Sequence, residues 1–399
     1  MQICFFEDNL TNALKPLTLT RPSNEVRVGI LKINEKWKHF LGVEQVSHIL
    51  TPRMKGVFPT IGVTEDVDCL WINGRFLPSN ELSNQIKELK TDEGLTFKNI
   101  PVVIKMSGRR SSGLFNAGNV STSEVTFEEA NSGVLLSQPW QVFAYNADEI
   151  QKDLALLKDL KEINLDNFPG VVVSGSNKVF VGENVSIEPG VVIITKDGPV
   201  YIGDDSEIMA GSLLRGPVAI CEHVSVKMGA KIYGGTTIGP YCKVGGELNN
   251  VVFQAYSNKA HDGFLGNAAI GEWCNFGADT NNSNLKNNYS TVRLTDWDSG
   301  REYDTELQFC GLIMGDHSKT AINSVLNTGT VCGVSSNLFS GKFPPKLIRS
   351  FKWIGPEGEE VYKFDKAMET AERMMKRRGI SITPEYRAMM RFLFEKNNA

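Results

Sequence analysis

Residues 202–244 read IGDDSEIMAGSLLRGPVAICEHVSVKMGAKIYGGTTIGPYCKV. Every sixth residue of this stretch is aliphatic, and the series runs without a break through Ile202, Ile208, Leu214, Ile220, Val226, Ile232, Ile238 and Val244. A period of six fits neither an α-helix nor a long flat strand, whose side chains repeat about every 3.6 and 2 residues. It is typical of short strands wound round a triangular prism. We therefore predict a left-handed parallel β-helix built from hexapeptide repeats.

The same period extends on both sides of this stretch. Before it, the frame passes through Val181, Ile187 and Ile193, with a short insertion at 196–199. After Val244 the predicted frame slips by two and then passes through Val252, Asn258, Phe264, Ile270 and Phe276. We predict that the β-helix domain occupies residues 166–345.

The flanking segments have different patterns. Residues 1–165 mix strand signals, at 2–6 and 102–104, with amphipathic helix signals at 80–90 and 147–161, which predicts an α/β domain. From 346 to 399, apolar residues recur at helical spacing among many charges, over 363–378 and 384–396. This pattern predicts a helical C-terminal tail.

Composition disfavours several classes of partner. The 399 residues include 42 Lys and Arg against 46 Asp and Glu, without the basic block that would suit nucleic acid. The first residues, MQICFFEDNL, do not resemble a secretory signal, and no apolar run approaches the length of a membrane span, so we expect a cytoplasmic protein with no membrane partner. The seven cysteines are scattered without a Cys-x-x-Cys pair, which predicts reduced thiols and no metal site.

Three short segments carry a more specific signal than the hexad. They are KVGGE at 243–247, YSNKAHDGFLG at 256–266 and IGEWCNFGA at 270–278. Together they resemble the acetyltransferase domain of the bifunctional GlmU family, and more closely the archaeal sugar-1-phosphate nucleotidylyltransferases that carry the same domain; the resemblance covers about residues 175–340. It implies an enzyme that transfers an acetyl group from acetyl-CoA to an amino-sugar 1-phosphate such as glucosamine 1-phosphate, in the synthesis of UDP-N-acetylglucosamine, a cell wall precursor.

The resemblance also implies roles for individual residues. His261 matches the general base that removes a proton from the sugar amine, a task that suits imidazole because it titrates near neutral pH. Glu247 matches a residue that contacts the amino sugar, Asn275 and Asn284 match amides that hold it, and Ala278 matches a backbone contact to acetyl-CoA. From the residues alone, His261 could be an inert surface histidine, Glu247 a solvated corner residue, and the asparagines part of a ladder or a turn.

At several positions the chain differs from the family pattern. Lys231 stands where the family has an arginine on the sugar phosphate, which keeps the charge and loses the bidentate geometry. Asn249 replaces a second lysine, Phe264 an active-site tyrosine, and Ile322 a serine near the thioester. These changes leave open an acetyltransferase acting on a different amino sugar. The family further implies a homotrimer, with acyl sites at the subunit interfaces.

The N-terminal domain contains a second motif. Residues 16–22, PLTLTRP, resemble the segment that follows the glycine-rich loop of sugar-nucleotide pyrophosphorylases. In such loops the backbone amides surround a nucleotide triphosphate. Here the loop glycines fall at Asn9 and Thr11, its arginine at Ala13, and the metal-binding aspartate at Arg75.

Two interpretations of this domain follow. Other cations, Arg21, Lys105, Arg109 and Arg110, could bind UTP with Mg²⁺, although residues 105–110 could equally be a solvated basic loop. Alternatively, the domain has lost nucleotidyl transfer and only positions the trimer or a ligand. If both chemistries are lost, the protein is a non-catalytic trimeric scaffold or a sugar-nucleotide sensor.

Overall fold

The structure is a computed structural model that describes residues 1–118 and 120–398, and it begins with an α/β domain. The strands of this domain are β1 (Gln2–Phe6), β2 (Ser47–His48), β3 (Cys69–Asn73), β4 (Phe76–Leu77), β5 (Glu93–Phe97), β6 (Ile100–Met106), β7 (Thr126–Glu129) and β8 (Val134–Leu135). The helices are α1 (Ile33–Leu41), α2 (Leu82–Glu88), α3 (Gly108–Ala117), α4 (Gln141–Ala144) and α5 (Asn146–Leu156). The main sheet has the order β2-β1-β3-β6-β5-β7, with β1 parallel to both neighbours and β6 antiparallel to β3. The predicted α/β class is confirmed.

A parallel β-helix of about ten turns follows, as the hexad period predicts. Its coil strands are β9 (Val172–Ser174), β10 (Val179–Val181), β11 (Ser186–Ile187), β12 (Val192–Ile194), β13 (Val200–Ile202), β14 (Glu207–Ile208), β15 (Leu213–Arg215), β16 (Val218–Ile220), β17 (Ser225–Val226), β18 (Lys231–Ile232), β19 (Thr236–Ile238), β20 (Lys243–Val244), β21 (Glu247–Ala255), β22 (Asn258–Lys259), β23 (Phe264–Glu272) and β24 (Asn281–Asn282). A hairpin of β25 (Arg293–Thr295) and β26 (Glu302–Asp304) interrupts the coils. They resume with β27 (Leu312–Met314), β28 (Lys319–Thr320), β29 (Val325–Leu326), β30 (Thr330–Cys332), β31 (Asn337–Leu338), β32 (Leu347–Ile348) and β33 (Lys352–Gly355).

The hexad residues stack on one another along the axis of the prism. Ile202 pairs with Ile220, and Ile220 with Ile238, so residues one coil apart lie directly above each other. On another face, Val226 pairs with Val244 in the same way. All of these side chains are buried, and each coil therefore covers the apolar interior of the next.

Between Val244 and Ile270 the predicted frame is wrong by one residue, whereas Ile270 and Phe276 face the interior as predicted. Phe253 pairs with Ile238, and Leu265 pairs with Leu248, so these residues rather than Val252 and Phe264 face the interior. The cause is a shortened coil: the continuous strands β21 and β23 each run across two faces of the prism. The displaced Val252 is still buried, because it belongs to an apolar cluster shared with the α/β domain.

The α/β domain lies against the outside of the β-helix. Besides the shared apolar cluster, Arg27 N donates to Gln254 Oε1 at 2.7 Å and Asn146 Nδ2 donates to Gly235 O at 2.8 Å. The inserted hairpin also takes part, since Lys15 forms an ion pair with Asp298 at 2.7 Å. Buried hydrogen bonds across this surface fix the orientation of the domain on the coils.

The C-terminal segment is helical, as predicted, after a hairpin of β33 with β34 (Gly358–Val361). The helices are α6 (Phe364–Lys376) and α7 (Pro384–Asn398). Helix α6 buries one stripe of side chains, Phe364, Ala367, Met368, Ala371 and Met375. Throughout the described residues, no helix is both long and apolar enough to cross a bilayer.

Shortening one stacked aliphatic residue should destabilise the β-helix. We expect Ile220→Ala to lower the free energy of unfolding by about 2–5 kcal/mol, because it leaves a cavity between two stacked coils. The matched control is Leu213→Ala on the same β-helix, where the side chain is 43% exposed and faces outward. Urea titration of both variants measures the difference; equal losses would contradict the stacking argument.

Candidate functional site

The predicted general base lies at a corner of the prism. Residues 260–263 connect β22 to β23, and the side chain of His261 is exposed. Gly263, with φ of 110°, is required there because an added Cβ would come within 2.3 Å of Thr280 O in the next coil. The corner is also held by stacking, since Asp279 N donates to Asp262 O at 3.0 Å. The imidazole therefore projects from a fixed backbone.

Three of the predicted site residues share one groove. His261, Asn275 and Ala278 line a concave space of about 750 Å³. Asn275 and Ala278 belong to the coil that stacks on the His261 coil, where Phe276 N donates to Asn258 O at 2.8 Å. The period of the sequence thus brings together residues that are up to 17 positions apart.

The opposite wall of the groove was not foreseen from the sequence. It is formed by helix α6 and the residues after it, which contribute Thr370, Arg373, Met374, Arg377 and Arg378. Lys243 and Lys319 add two more cations from the coils. The sequence signal for this wall was the helical spacing of apolar residues among many charges in the predicted tail, which gave no indication of where the tail packs.

Lys231 and Glu247 do not line this groove. They lie side by side on the next face of the prism, where Glu247 pairs with Lys231 on one side and with Phe264 on the other. This face begins next to the corner that carries His261, because Glu247 N donates to Gly263 O of the next coil at 3.1 Å. Within one chain, Lys231 and Glu247 therefore lie on a different face from the groove, and the corner that carries His261 separates them from it.

Asn284 lies near Lys231 and Glu247 and not in the groove of His261. Its Nδ2 donates to Asn267 Oδ1 at 2.7 Å. A Cβ added at Gly266 would come within 2.5 Å of the Phe264 ring and 2.8 Å of Asn284 Nδ2, so both side chains cover that glycine. Asn284 thus lies beside Phe264, on the face that carries Glu247.

In the N-terminal domain, Arg21 is engaged inside the protein. Its guanidinium is 3% exposed and forms ion pairs with Asp316 at 2.8 Å and Glu272 at 3.4 Å, both on the β-helix. Burial opposes the charge, but Asp316 and then Glu272 raise the pKa of Arg21 above its usual value. Arg21 therefore joins the domain to the coils and presents no open surface to a nucleotide.

Lys105 and Arg109 lie in different surroundings. Lys105 Nζ donates to Leu89 O at 2.8 Å, whereas Arg109 is exposed on α3. The neighbouring Arg110 pairs with Asp92 at 2.7 Å. Lys105 and Arg110 are thus engaged in contacts within the domain, whereas Arg109 is exposed to solvent.

A carboxylate of the chain itself occupies the loop that would surround a nucleotide. Asp8 Oδ1 accepts hydrogen bonds from Leu10 N at 3.0 Å and Thr11 N at 3.1 Å. Arg75 holds both oxygens of Asp8, through Nε to Oδ1 and Nη2 to Oδ2; it is fully buried and stands where a metal-binding aspartate was expected. A cation at this position does not suit Mg²⁺, which prefers oxygen ligands. In the described parts of the chain, no group of three or more His, Cys, Asp or Glu is placed to hold a metal.

Comparison with known proteins finds a similar family for the first part of the chain. Residues 3–162 match a family model described as sugar nucleotidyl transferase, so the α/β domain is nucleotidyltransferase-like, as the PLTLTRP segment predicts. No protein of curated function matches the chain. Among solved structures, a UDP-N-acetylglucosamine acyltransferase from Campylobacter jejuni is similar at 13% identity over 56% of this chain and 94% of that chain, with a TM-score of 0.24. That similarity is too weak to support a functional argument, and the narrower GlmU assignment stays a prediction.

The Asp8–Arg75 pair generates a prediction about stability. Arg75→Met should lower the free energy of unfolding by about 3–5 kcal/mol, because it leaves a partly buried carboxylate without its partner. Arg109→Met, which removes an exposed arginine from the same domain, should change the unfolding transition little. If Arg75 instead served a nucleotide, its loss would weaken nucleotide binding and leave the denaturation midpoint unchanged.

Proposed function

We propose that the protein transfers an acetyl group from acetyl-CoA to the amine of an amino-sugar 1-phosphate, with His261 as the general base. The observation that carries the proposal is the groove itself. It brings together the exposed imidazole, Asn275 and Ala278 with several cations, which suits a phosphorylated acyl donor. The resemblance of residues 243–278 to the acetyltransferases supports the same reaction.

The proposed reaction needs only proton transfer and orientation. The amine nitrogen attacks the thioester carbonyl carbon, His261 takes the proton that the nitrogen loses, and the carbon–sulfur bond breaks. The thiolate leaves and takes that proton from the imidazolium, giving the N-acetyl sugar phosphate and free CoA. Asn275 and Ala278 both line the groove, and we assign the amide of Asn275 to the sugar and the backbone of Ala278 to acetyl-CoA.

The amino-sugar end of the proposed site involves the second face. We assign Glu247 to the sugar, Lys231 to its phosphate and Asn284 to a supporting amide. These residues and His261 lie on either side of one corner, so a second subunit packed against that corner would close the site. A homotrimer with cyclic symmetry, in which each neighbour repeats the contact, provides such closure.

A second candidate function is a non-catalytic scaffold or a sugar-nucleotide sensor. The N-terminal loop favours a loss of nucleotidyl transfer, because Asp8 caps the amides that would bind phosphate and Arg75 replaces the metal ligand. UTP would be a substrate, and Mg²⁺ its metal cofactor, only if this domain retains nucleotidyl transfer. Acetyl transfer to a different amino sugar is the remaining alternative, since Phe264 and Asn249 replace polar family residues.

Thiol release from acetyl-CoA in the presence of glucosamine 1-phosphate tests the proposal. We expect His261→Ala to lower kcat/KM by about 10²- to 10⁴-fold, the usual contribution of a general base. The control is His223→Ala, which removes a part-exposed histidine from another corner of the β-helix. Light scattering should give the mass of three chains.

Two results would redirect the assignment. Full activity in His261→Ala would remove the histidine from the mechanism. Absence of turnover with every amino-sugar phosphate, combined with retained nucleotide binding, would favour the sensor. Pyrophosphate release from UTP with a sugar 1-phosphate, measured in parallel, reports on the N-terminal domain alone.

A further inference from the structure

Helix α6 uses two adjacent faces for two different purposes. The buried stripe described above packs on the core, whereas Thr370, Arg373, Met374 and Arg377 line the groove. These positions follow the i, i+3, i+4, i+7 spacing of one helix face. The helix is therefore a wall of the His261 groove, and its last turn directs arginines into that groove.

The positive charge of this wall is poorly compensated. Among the described residues that line the groove, Lys243, Lys319, Arg373, Arg377 and Arg378 are cationic and no carboxylate is present. Arg373 pairs with Glu369, which lies outside the groove. Burial, followed by the charges of Arg378 and other nearby cations, lowers the pKa of Lys243. The cations of the wall therefore repel one another, and an anionic ligand would relieve this repulsion.

We propose that the basic wall formed by Arg377, Arg378 and Lys243 binds the pyrophosphate of a nucleotide. This nucleotide is the adenosine end of the acyl donor, an assignment of the ligand that rests on the proposed function. Arginine suits this task because its planar group can form paired hydrogen bonds with phosphate oxygens. The C-terminal tail is then part of the binding site.

Calorimetric titration of the full chain tests the wall without relying on turnover. The double variant Arg377→Gln, Lys243→Gln should raise the Kd for CoA by about tenfold or more, as expected from losing charged hydrogen bonds. Pantetheine, which lacks the nucleotide, should bind both proteins equally. Lys376→Gln is the matched control, because it removes a cation from the same helical turn outside the groove.

Titration with UDP-N-acetylglucosamine separates this inference from the proposed function. Binding of CoA that weakens in the double variant supports both. Binding of the sugar nucleotide alone, weakened in the same variant, supports the phosphate wall and overturns acyl transfer. Unchanged affinity for every nucleotide that binds, or no nucleotide binding at all, would overturn the wall.

A separate observation concerns Lys259, which occupies an inward position of the prism. It pairs with Val244 in the coil below and is 1% exposed. Its Nζ donates to His261 O at 2.7 Å and to Asp262 O at 2.9 Å. A buried lysine thus holds the corner that carries the proposed general base.

This arrangement is costly for the fold. Burial lowers the pKa of Lys259 to about 8, so the interior disfavours its charge, whereas the stacked Val244 is apolar. An aliphatic residue would suit the position better. We infer that Lys259 is a positioning residue that fixes the His261 corner, a role that rests on the proposed function only where catalysis is concerned.

Lys259→Met, which keeps the length and removes the charge, tests this role. We expect a midpoint of unfolding that is equal to or above that of the unaltered protein, because replacing a buried charge is often stabilising. At the same time kcat should fall about tenfold with little change in the KM for acetyl-CoA. Lys178→Met, at an exposed site on the β-helix, is the control.

The pH dependence of stability provides a second measurement. Between about pH 8 and the ordinary lysine pKa near 10.5, the unfolded chain holds a proton that the folded chain has lost. The free energy of unfolding should therefore rise with pH across that window because of this residue. Lys259→Met should lack this rise.

Hydrogen exchange keeps the role testable even without turnover. The amides of Glu247 and Asp279 donate to the corner carbonyls of Gly263 and Asp262. They should exchange faster in Lys259→Met and remain unchanged in His261→Ala. Unaltered exchange in the lysine variant would overturn the positioning role, whatever the enzyme's activity.

Discussion

The vertical stacking of aliphatic side chains inside the prism is the constraint on which the rest of the structure depends. Each coil supplies few inward residues, so the interior is apolar only if residues one coil apart coincide, as Ile202, Ile220 and Ile238 do. That condition fixes the register of every strand. It also decides which positions remain free to carry chemistry, because only the corners and outward positions escape it.

The candidate site lies where the stacking changes. The coil after Val244 is shortened, the strands β21 and β23 span two faces, and Lys259 takes an inward position. The corner at 260–263 therefore cannot rely on apolar contacts below it and is held by the lysine and by Gly263. The position where apolar stacking is interrupted is thus the position where a polar side chain fixes the corner that carries His261.

The sequence predicts those features that depend on period and fails where contacts are distant. The hexad gives the β-helix and brings Asn275 and Ala278 to the His261 groove, because stacking follows from spacing alone. Between Val244 and Ile270 the frame is missed by one residue, since Val252 and Phe253 are equally apolar and only the docked α/β domain distinguishes them. The placement of α6 and of Arg21 could not be predicted, because neither contact has a sequence spacing to reveal it.

The N-terminal domain shows how a site can be closed by its own residues. In the loop, the backbone amides that would attract phosphate are still aligned, yet Asp8 satisfies them and Arg75 neutralises Asp8. Arg21 forms an ion pair with Asp316 on the β-helix and is therefore not available to a nucleotide. Charges that could serve a nucleotide therefore stabilise the domain and its attachment to the coils. The groove beside α6, in contrast, has cations and no carboxylates among the described residues that line it, so positive charge is available where the proposed acyl donor would bind.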